Sequence, residues 1–337
     1  MKPLGVLGAG SFGTALAAHA ADTGREVTLW ARREELAREI GRTRENVDYL
    51  PGVTLPPGVR PTAGLEEVAA CDPVLVAVPS HGFREAVRGL LAAADGGGPI
   101  TLVSATKGVE VDSQARMSEV CFEEGVAADR EVHFAVLSGP TFAAELARGV
   151  ATVAVIASAE PGLATELQEA LTSPSFRLYS SGDVVGVELG GATKNVIAIA
   201  AGVVAGLGLG GNTLAALITR GLHEMTRLGI AFGGQQRTFA GLAGLGDLVL
   251  TCMGGQSRNR AAGVQLAEGK TLDEITGRTS MVAEGLKNSL GIARLARGRG
   301  VEMPITEQMV AMIYERKSAR VALGELMRRE LKSEAEL

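Results

Sequence analysis

The sequence predicts an N-terminal Rossmann-like α/β half, built on a doubly wound and mainly parallel sheet, followed by an all-α C-terminal half. Three observations predict it. Short apolar, β-branched runs alternate with helical segments over the first 180 residues, as in a wound parallel sheet. Several of those runs, such as Val74-Leu-Val-Ala-Val78, are apolar on both faces, which suits central strands covered on both sides. From about residue 183 the strand-like runs nearly vanish and long Ala/Leu/Gly/Ile segments with helical spacing replace them.

In chain order, strands are expected at 3–7, 27–30, 74–78, 100–104, 133–137, 152–157 and near 176–179, with helices at 13–23, 33–41, 82–94 and 113–124 among them. The second half reads as helices over 184–205, 213–231, 238–253, 257–268, 279–299 and 305–331. Domains are therefore expected at 1–181, binding a dinucleotide, and 182–337, holding substrate and chemistry. The tail after Arg328 is polar and reads as a fraying end.

Composition excludes several classes. With 337 residues, 46% hydrophobic and 21% charged, the chain has enough material for two cores and too little charge for disorder. A net charge of −5 without basic blocks argues against nucleic acid as a partner. Cys71, Cys121 and Cys252 lack metal or disulfide spacing, and His19, His81, His133 and His223 read as structural, so no metal is expected. The uncharged run 195–219 is long enough to span a bilayer, but Gly206, Gly208, Gly210, Gly211 and Asn212 break it. It reads as two buried helices joined by a glycine-rich turn, without stable membrane insertion. No secretory signal opens the sequence, so a cytoplasmic location is expected.

Gly8-Ala9-Gly10-Ser11-Phe12-Gly13 is a GxGxxG that follows a strand and opens a helix. Gly8 permits the tight turn, Gly10 admits a pyrophosphate to the backbone, and Gly13 allows close helix–strand packing. The diphosphate of a dinucleotide then meets the positive end of a helix. The second strand ends Trp30-Ala31-Arg32-Arg33, where NAD-selective folds carry an acidic residue. Two arginines there suit a 2′-phosphate, so NADPH/NADP+ is expected in preference to NADH/NAD+. Val78-Pro79-Ser80-His81 follows the third strand at its carboxyl end, and Phe83 reads either as a cofactor contact or as core.

Only seven of the 33 basic residues are lysines, and two of those stand in small or apolar surroundings. Lys107 follows strand 100–104, and Lys194 is the sole charge between Glu188 and Arg220. A buried ammonium must be paired or have its basicity reduced, and an adjustable amine suits acid–base chemistry at neutral pH. Asp247 and Thr251, four apart, share one helix face. Ser257-Arg258-Asn259 reads as an anion site at a helix start, or as an ordinary N-cap.

The blocks GAGSFGTALA (8–17), VPSH (78–81), ATKG (105–108), SGPTFAAE (138–145), LGGATKNVIAI (189–199), LITRGLHEM (217–225), GLAGLGDLVLTC (241–252), QSRNR (256–260), VAEG (282–285) and MPIT (303–306) together resemble the bacterial NAD(P)+-dependent sn-glycerol-3-phosphate dehydrogenase family. The resemblance runs from about residue 4 to 325. It implies reversible reduction of dihydroxyacetone phosphate to sn-glycerol 3-phosphate, the backbone of glycerophospholipids. It implies that Lys194 is the general acid/base, with Lys107, Asn195, Asp247 and Thr251 around it. Gly139, Thr141, Ser257, Arg258 and Asn259 would hold the substrate together with Lys107, Lys194 and Asp247, Arg258 and Asn259 being on its phosphate. Ser11, Phe12, Arg32, Lys107, Ala143, Arg258, Val282 and Glu284 would contact the dinucleotide; Arg33 is added by the charge argument alone.

Two other readings stay open on the residues. A β-hydroxyacid or 6-phosphogluconate type dehydrogenase shares this architecture and a lysine on the first helix of its second half; Ser257-Arg258-Asn259 and the 244–251 segment discriminate against it. A cofactor-binding regulator would need neither Lys194 nor Asp247. The apolar helical half is compatible with a homodimer.

Overall fold

The computed structural model of the chain describes residues 2–96, 98–277, 283–331, 333 and 334. It forms two compact units, Met1–Lys107 with Ala115–Val184, and Gly108–Gln114 with Val185–Leu337. A single crossing at 181/182 was expected, but the chain also enters the second unit at Gly108–Gln114. Val109 anchors that excursion: it is buried in the helical core and its N–H donates to Asn288 Oδ1 at 3.2 Å.

The strands of the first unit are β1 (Leu4–Leu7), β2 (Val27–Trp30), β3 (Glu45–Asn46), β4 (Leu50–Thr54), β5 (Val59–Thr62), β6 (Val74–Val76), β7 (Ile100–Ser104), β8 (Val132–Ser138), β9 (Thr152–Ala157) and β10 (Phe176–Ser181). Eight of them form one sheet in the order β10-β9-β8-β7-β6-β1-β2-β5, and β3 and β4 make a separate hairpin. Every pairing in the large sheet is parallel except β8 with β9. The chain winds outward from β1 through β2 to β5, then returns to place β6 on the other side of β1. That reversal makes β1 and β6 the switch point, where open α/β sheets bind ligands beyond the strand carboxyl ends.

The helices Ser11–Asp22, Glu34–Thr43, Phe83–Ala93 and Met117–Ala127 fall where the periodicity put them, and shorter ones at Leu65–Ala69, Ala143–Ala147 and Leu163–Leu171 are additional. The sequence reading did not contain β3, β4 or β5. β5 carries Pro61, which a central strand would not tolerate, but β5 lies at the sheet edge.

The described part of the second unit is helical apart from its turns. Its axis is the helix Val184–Gly206, of which residues 186–204 are all buried. This helix is long and apolar enough to cross a membrane, yet most of its surface is taken up by the protein itself. The helix Gly211–Ala231 follows after a short turn, as the glycines predict. Where one helix was expected over 305–331, there are two, Pro304–Tyr314 and Ala319–Met327. The break is local: Arg316 sits at φ 59°, and the Ser318 hydroxyl caps the new start by accepting from Val321 N at 3.4 Å. The expected helix 238–253 is also divided, into Gln236–Phe239, a π-helical turn Leu242–Gly246, and Asp247–Met253.

Candidate active site

In the first unit, the turn after β1 is the candidate dinucleotide half-site. Gly8 has φ 122°, and a Cβ there would lie 2.7 Å from the Ala77 carbonyl oxygen. A Cβ on Gly13 would sit 1.9 Å from Gly8 O, so the helix Ser11–Asp22 can close onto the turn only with glycine there. Gly10 differs: its backbone is extended at φ −76°, and a Cβ would meet nothing within 4 Å. The folded chain does not need glycine at position 10, whereas a diphosphate laid against the backbone would. The half-site therefore fits a dinucleotide.

Around the same strand ends, Lys107 Nζ donates to Gly139 O at 3.0 Å and lies 5.9 Å from the Phe12 ring centroid. Thr141 Oγ1 also donates to Gly139 O, at 3.1 Å, and Ala143 opens the helix Ala143–Ala147 nearby in sequence. Thr106 donates its hydroxyl to Val78 O at 2.7 Å, tying the end of β7 to the segment after β6. Ser11, half-buried, is the first residue of its helix.

At the tip of β2, Ala31 is buried and Arg32 and Arg33 are exposed. Arg33 Nη2 donates to Asp48 Oδ2 at 2.6 Å, a partner on the unforeseen hairpin. Phe83 requires a correction. It has no exposed surface and leads the inward stripe Phe83, Val87, Leu90 and Leu91 of its helix, so it is core and not a cofactor contact. Val282 lies outside the described residues.

In the second unit, Lys194 Nζ donates to Asp247 Oδ1 at 2.6 Å and to Thr251 Oγ1 at 2.8 Å. All three side chains are buried. Thr251 Oγ1 in turn donates to the Asp247 backbone carbonyl at 2.6 Å. Close backbone approaches make this possible. A Cβ on Gly190 would lie 2.7 Å from Ala243 O, so the π-helical turn can rest on the axial helix and deliver Asp247 just beyond it. The i to i−5 bond of that turn, Gly246 N to Gly241 O at 3.1 Å, is of a kind frequent at functional sites.

At the next position of the axial helix, Asn195 Oδ1 accepts from Asn259 Nδ2 at 2.9 Å, and Asn259 Oδ1 accepts from Gly285 N at 3.0 Å. Gly202 and Gly263 let the helix Arg258–Ala267 touch the axial helix: a Cβ on either would fall within 2.0 Å of a facing carbonyl oxygen. Ser257 is its N-cap, accepting from Arg260 N at 3.2 Å, while Arg258 is exposed at the same helix start. Ser257 is thus the ordinary N-cap that one sequence reading expects, with the Arg258 side chain exposed beside it. Glu284 begins the helix Glu284–Gly298 beside Gly285. Burial pushes the Cys252 thiol up to about 12, which leaves it an uncharged neighbour of the lysine. Among the described residues no cluster of His, Cys, Asp and Glu could hold a metal.

The comparisons follow this division. Residues 3–164 match the model of the NAD-dependent glycerol-3-phosphate dehydrogenase N-terminus, and residues 183–324 match that of its C-terminus. The chain belongs to the NAD-dependent glycerol-3-phosphate dehydrogenase family. Its relatives in this family include the glycerol-3-phosphate dehydrogenase [NAD(P)+] of Geobacter sp. (strain M21), 51% identical over 99% of both chains. That of Thermobifida fusca is 47% identical over 99% of each. The crystal structure of glycerol-3-phosphate dehydrogenase from Coxiella burnetii superposes with a TM-score of 0.92 at 38% identity, covering 97% of this chain and 99% of that one. An oxidoreductase with a nicotinamide cofactor is what the family supplies, and the sheet followed by helices is its fold.

Contacts to the candidate site that the sequence did not reveal come from the hairpin β3–β4. Asn46, Asp48 and Tyr49 reach the phosphate turn and Arg33, although the segment reads as an ordinary polar loop. The turn residues Asn46, Asp48, Pro51 and Gly52 were the available signal.

Proposed function

We propose that this chain catalyses the reversible reduction of dihydroxyacetone phosphate to sn-glycerol 3-phosphate, with NADPH preferred and NADH accepted. The observation that carries the reading is the buried Lys194–Asp247–Thr251 cluster, in a chain of this family, on the unit that does not carry the phosphate turn.

The Gly8–Gly13 turn, Ser11 and Phe12 would hold the dinucleotide, with Arg32 and Arg33 at its 2′-phosphate and Lys107, Ala143, Arg258 and Glu284 as further contacts. When bound, the nicotinamide supplies or accepts the hydride. Lys194 does the proton work: its ammonium faces the carbonyl oxygen as negative charge develops there, and passes it a proton. In the oxidative direction the amine takes the hydroxyl proton back. Asp247 and Thr251 hold Nζ in place through two hydrogen bonds, so little orientational freedom is lost during reaction. The Asn195–Asn259 contact fixes the axial helix next to Lys194. Arg258, with Ser257 and Asn259, takes the substrate phosphate by charge-assisted bonds at a helix N-terminus, and Lys107, Gly139 and Thr141 complete the substrate contacts.

The reading extends to supply of the glycerol phosphate backbone for glycerophospholipids, in the cytoplasm, by a homodimer. NADPH oxidation measured with dihydroxyacetone phosphate and with unphosphorylated dihydroxyacetone tests the core of it. Turnover that requires the phosphate is expected. Equal turnover of both ketones, or turnover only of keto acids, would overturn it.

A further inference from the structure

We infer that Asn46, on the hairpin β3–β4, is a positioning residue for the phosphate turn. The inference rests on the reading of Gly8–Gly13 as the diphosphate site. Asn46 has no exposed surface, and its Nδ2 donates to Ala9 O at 2.9 Å and to Thr14 Oγ1 at 2.8 Å. One side chain therefore clasps the middle of the turn and the first turn of the helix behind it.

The orientation of the amide is fixed by chemistry. Rotating it by 180° would set Oδ1 against the Ala9 carbonyl, two acceptors face to face. In the observed orientation Oδ1 is buried and has no hydrogen-bond partner among the described residues. An unpaired buried acceptor is unfavourable, so Asn46 is a poor choice for stability alone. What it supplies is a donor at the Ala9 carbonyl. In a trans peptide the C=O and the following N–H point to opposite sides. Pinning Ala9 O toward Asn46 thus aims the Gly10 N–H away from the hairpin, out of the buried side of the turn. That N–H belongs to the glycine whose Cβ position is open. Preset donors of this kind raise affinity for an anion because the turn need not order itself on binding.

The test uses the full-length protein with Asn46→Ala, Asn46→Ser and the isosteric Asn46→Asp, so that one folded variant suffices. Equilibrium affinities are measured for NADPH and for adenosine 2′-monophosphate, which lacks the diphosphate, alongside steady-state kinetics. Loss of one preset hydrogen bond raises the Kd for NADPH about tenfold. Adenosine 2′-monophosphate binds within about twofold of wild type, and kcat at saturating NADPH and KM for the ketone change little. Asn46→Asp loses at least as much, since it offers the Ala9 carbonyl an acceptor. Unchanged NADPH affinity, or equal weakening of both ligands, overturns the inference. Gly10→Ala separates this from failure of the underlying reading. If it weakens NADPH while the Asn46 variants do not, the inference alone fails; if it leaves NADPH binding intact, the diphosphate reading fails with it.

Discussion

Lys194 Nζ and Asp247 Oδ1 lie 2.6 Å apart, with their side chains 8% and 1% exposed. The two residues are 53 positions apart in sequence, and the pair exists because a π-helical turn rests on the glycine face of the axial helix. Removing either charge leaves the other buried without its counterpart, which costs about 3–5 kcal/mol. A loss of activity on mutation could then reflect folding or chemistry, and the two must be separated.

Lys194→Met is expected to lower kcat by about 10²- to 10⁴-fold, the usual contribution of a positioned acid–base group, and to lower Tm. Lys194→Met/Asp247→Asn removes both charges, so most of the Tm should return while kcat stays low. Lys194→Arg should not restore kcat, because a guanidinium keeps its proton. Recovery of kcat together with Tm in the double variant would show that the lysine is structural.

Arg258 is exposed at the start of its helix, so Arg258→Ala should leave Tm nearly unchanged. Losing one charge-assisted contact to phosphate, about 1.5–3 kcal/mol, should raise KM for dihydroxyacetone phosphate by roughly 10- to 100-fold with a smaller change in kcat. A variant that lowers kcat at unchanged KM would place Arg258 away from the phosphate.

Much of the candidate site's local geometry was legible because its determinants are local. The phosphate turn is six consecutive residues, and Asp247 and Thr251 share a face through one helical turn. The partner of Lys194 was not legible from spacing, since it is set by a glycine contact between distant helices. The hairpin was missed because β3 has only two residues and shows no alternation. Phe83 was drawn to the crevice by its place after β6, although Val87, Leu90 and Leu91 already mark its helix face as core. β5 was hidden by Pro61, whose edge position cannot be read without the sheet order.

Arg32 and Arg33 should differ in their effect on cofactor choice. Arg33 is already held by Asp48 at 2.6 Å, and both partners are about half exposed, so that pair is weak and open to exchange. Arg32→Ala/Arg33→Ala is expected to lower the NADPH/NADH ratio of kcat/KM by at least about tenfold. Asp48→Ala should raise the ratio by a few-fold, as Arg33 no longer has a competing carboxylate. An unchanged ratio in the double arginine variant would remove the basis for an NADPH preference.

Glu224 should give the second unit a pH-dependent stability. It is 1% exposed and caps the helix Pro304–Tyr314, accepting from Ile305 N at 2.5 Å and from Thr306 N and Oγ1 at 3.2 and 3.1 Å. Burial raises its carboxyl to about 7, against the opposing pull of those donors and of Arg227. Between about pH 4.5, the ordinary value, and pH 7 the native state holds a proton that the unfolded chain has released. Stability from this group is therefore full at the acidic end and is lost as pH rises to about 7, by an upper limit of about 3 kcal/mol. Glu224→Gln cannot titrate. Thermal unfolding followed from pH 5 to pH 7.5 should show wild type losing stability relative to Glu224→Gln across that interval and running parallel to it above. A constant difference between the two profiles would mean that Glu224 caps its helix in one charge state throughout.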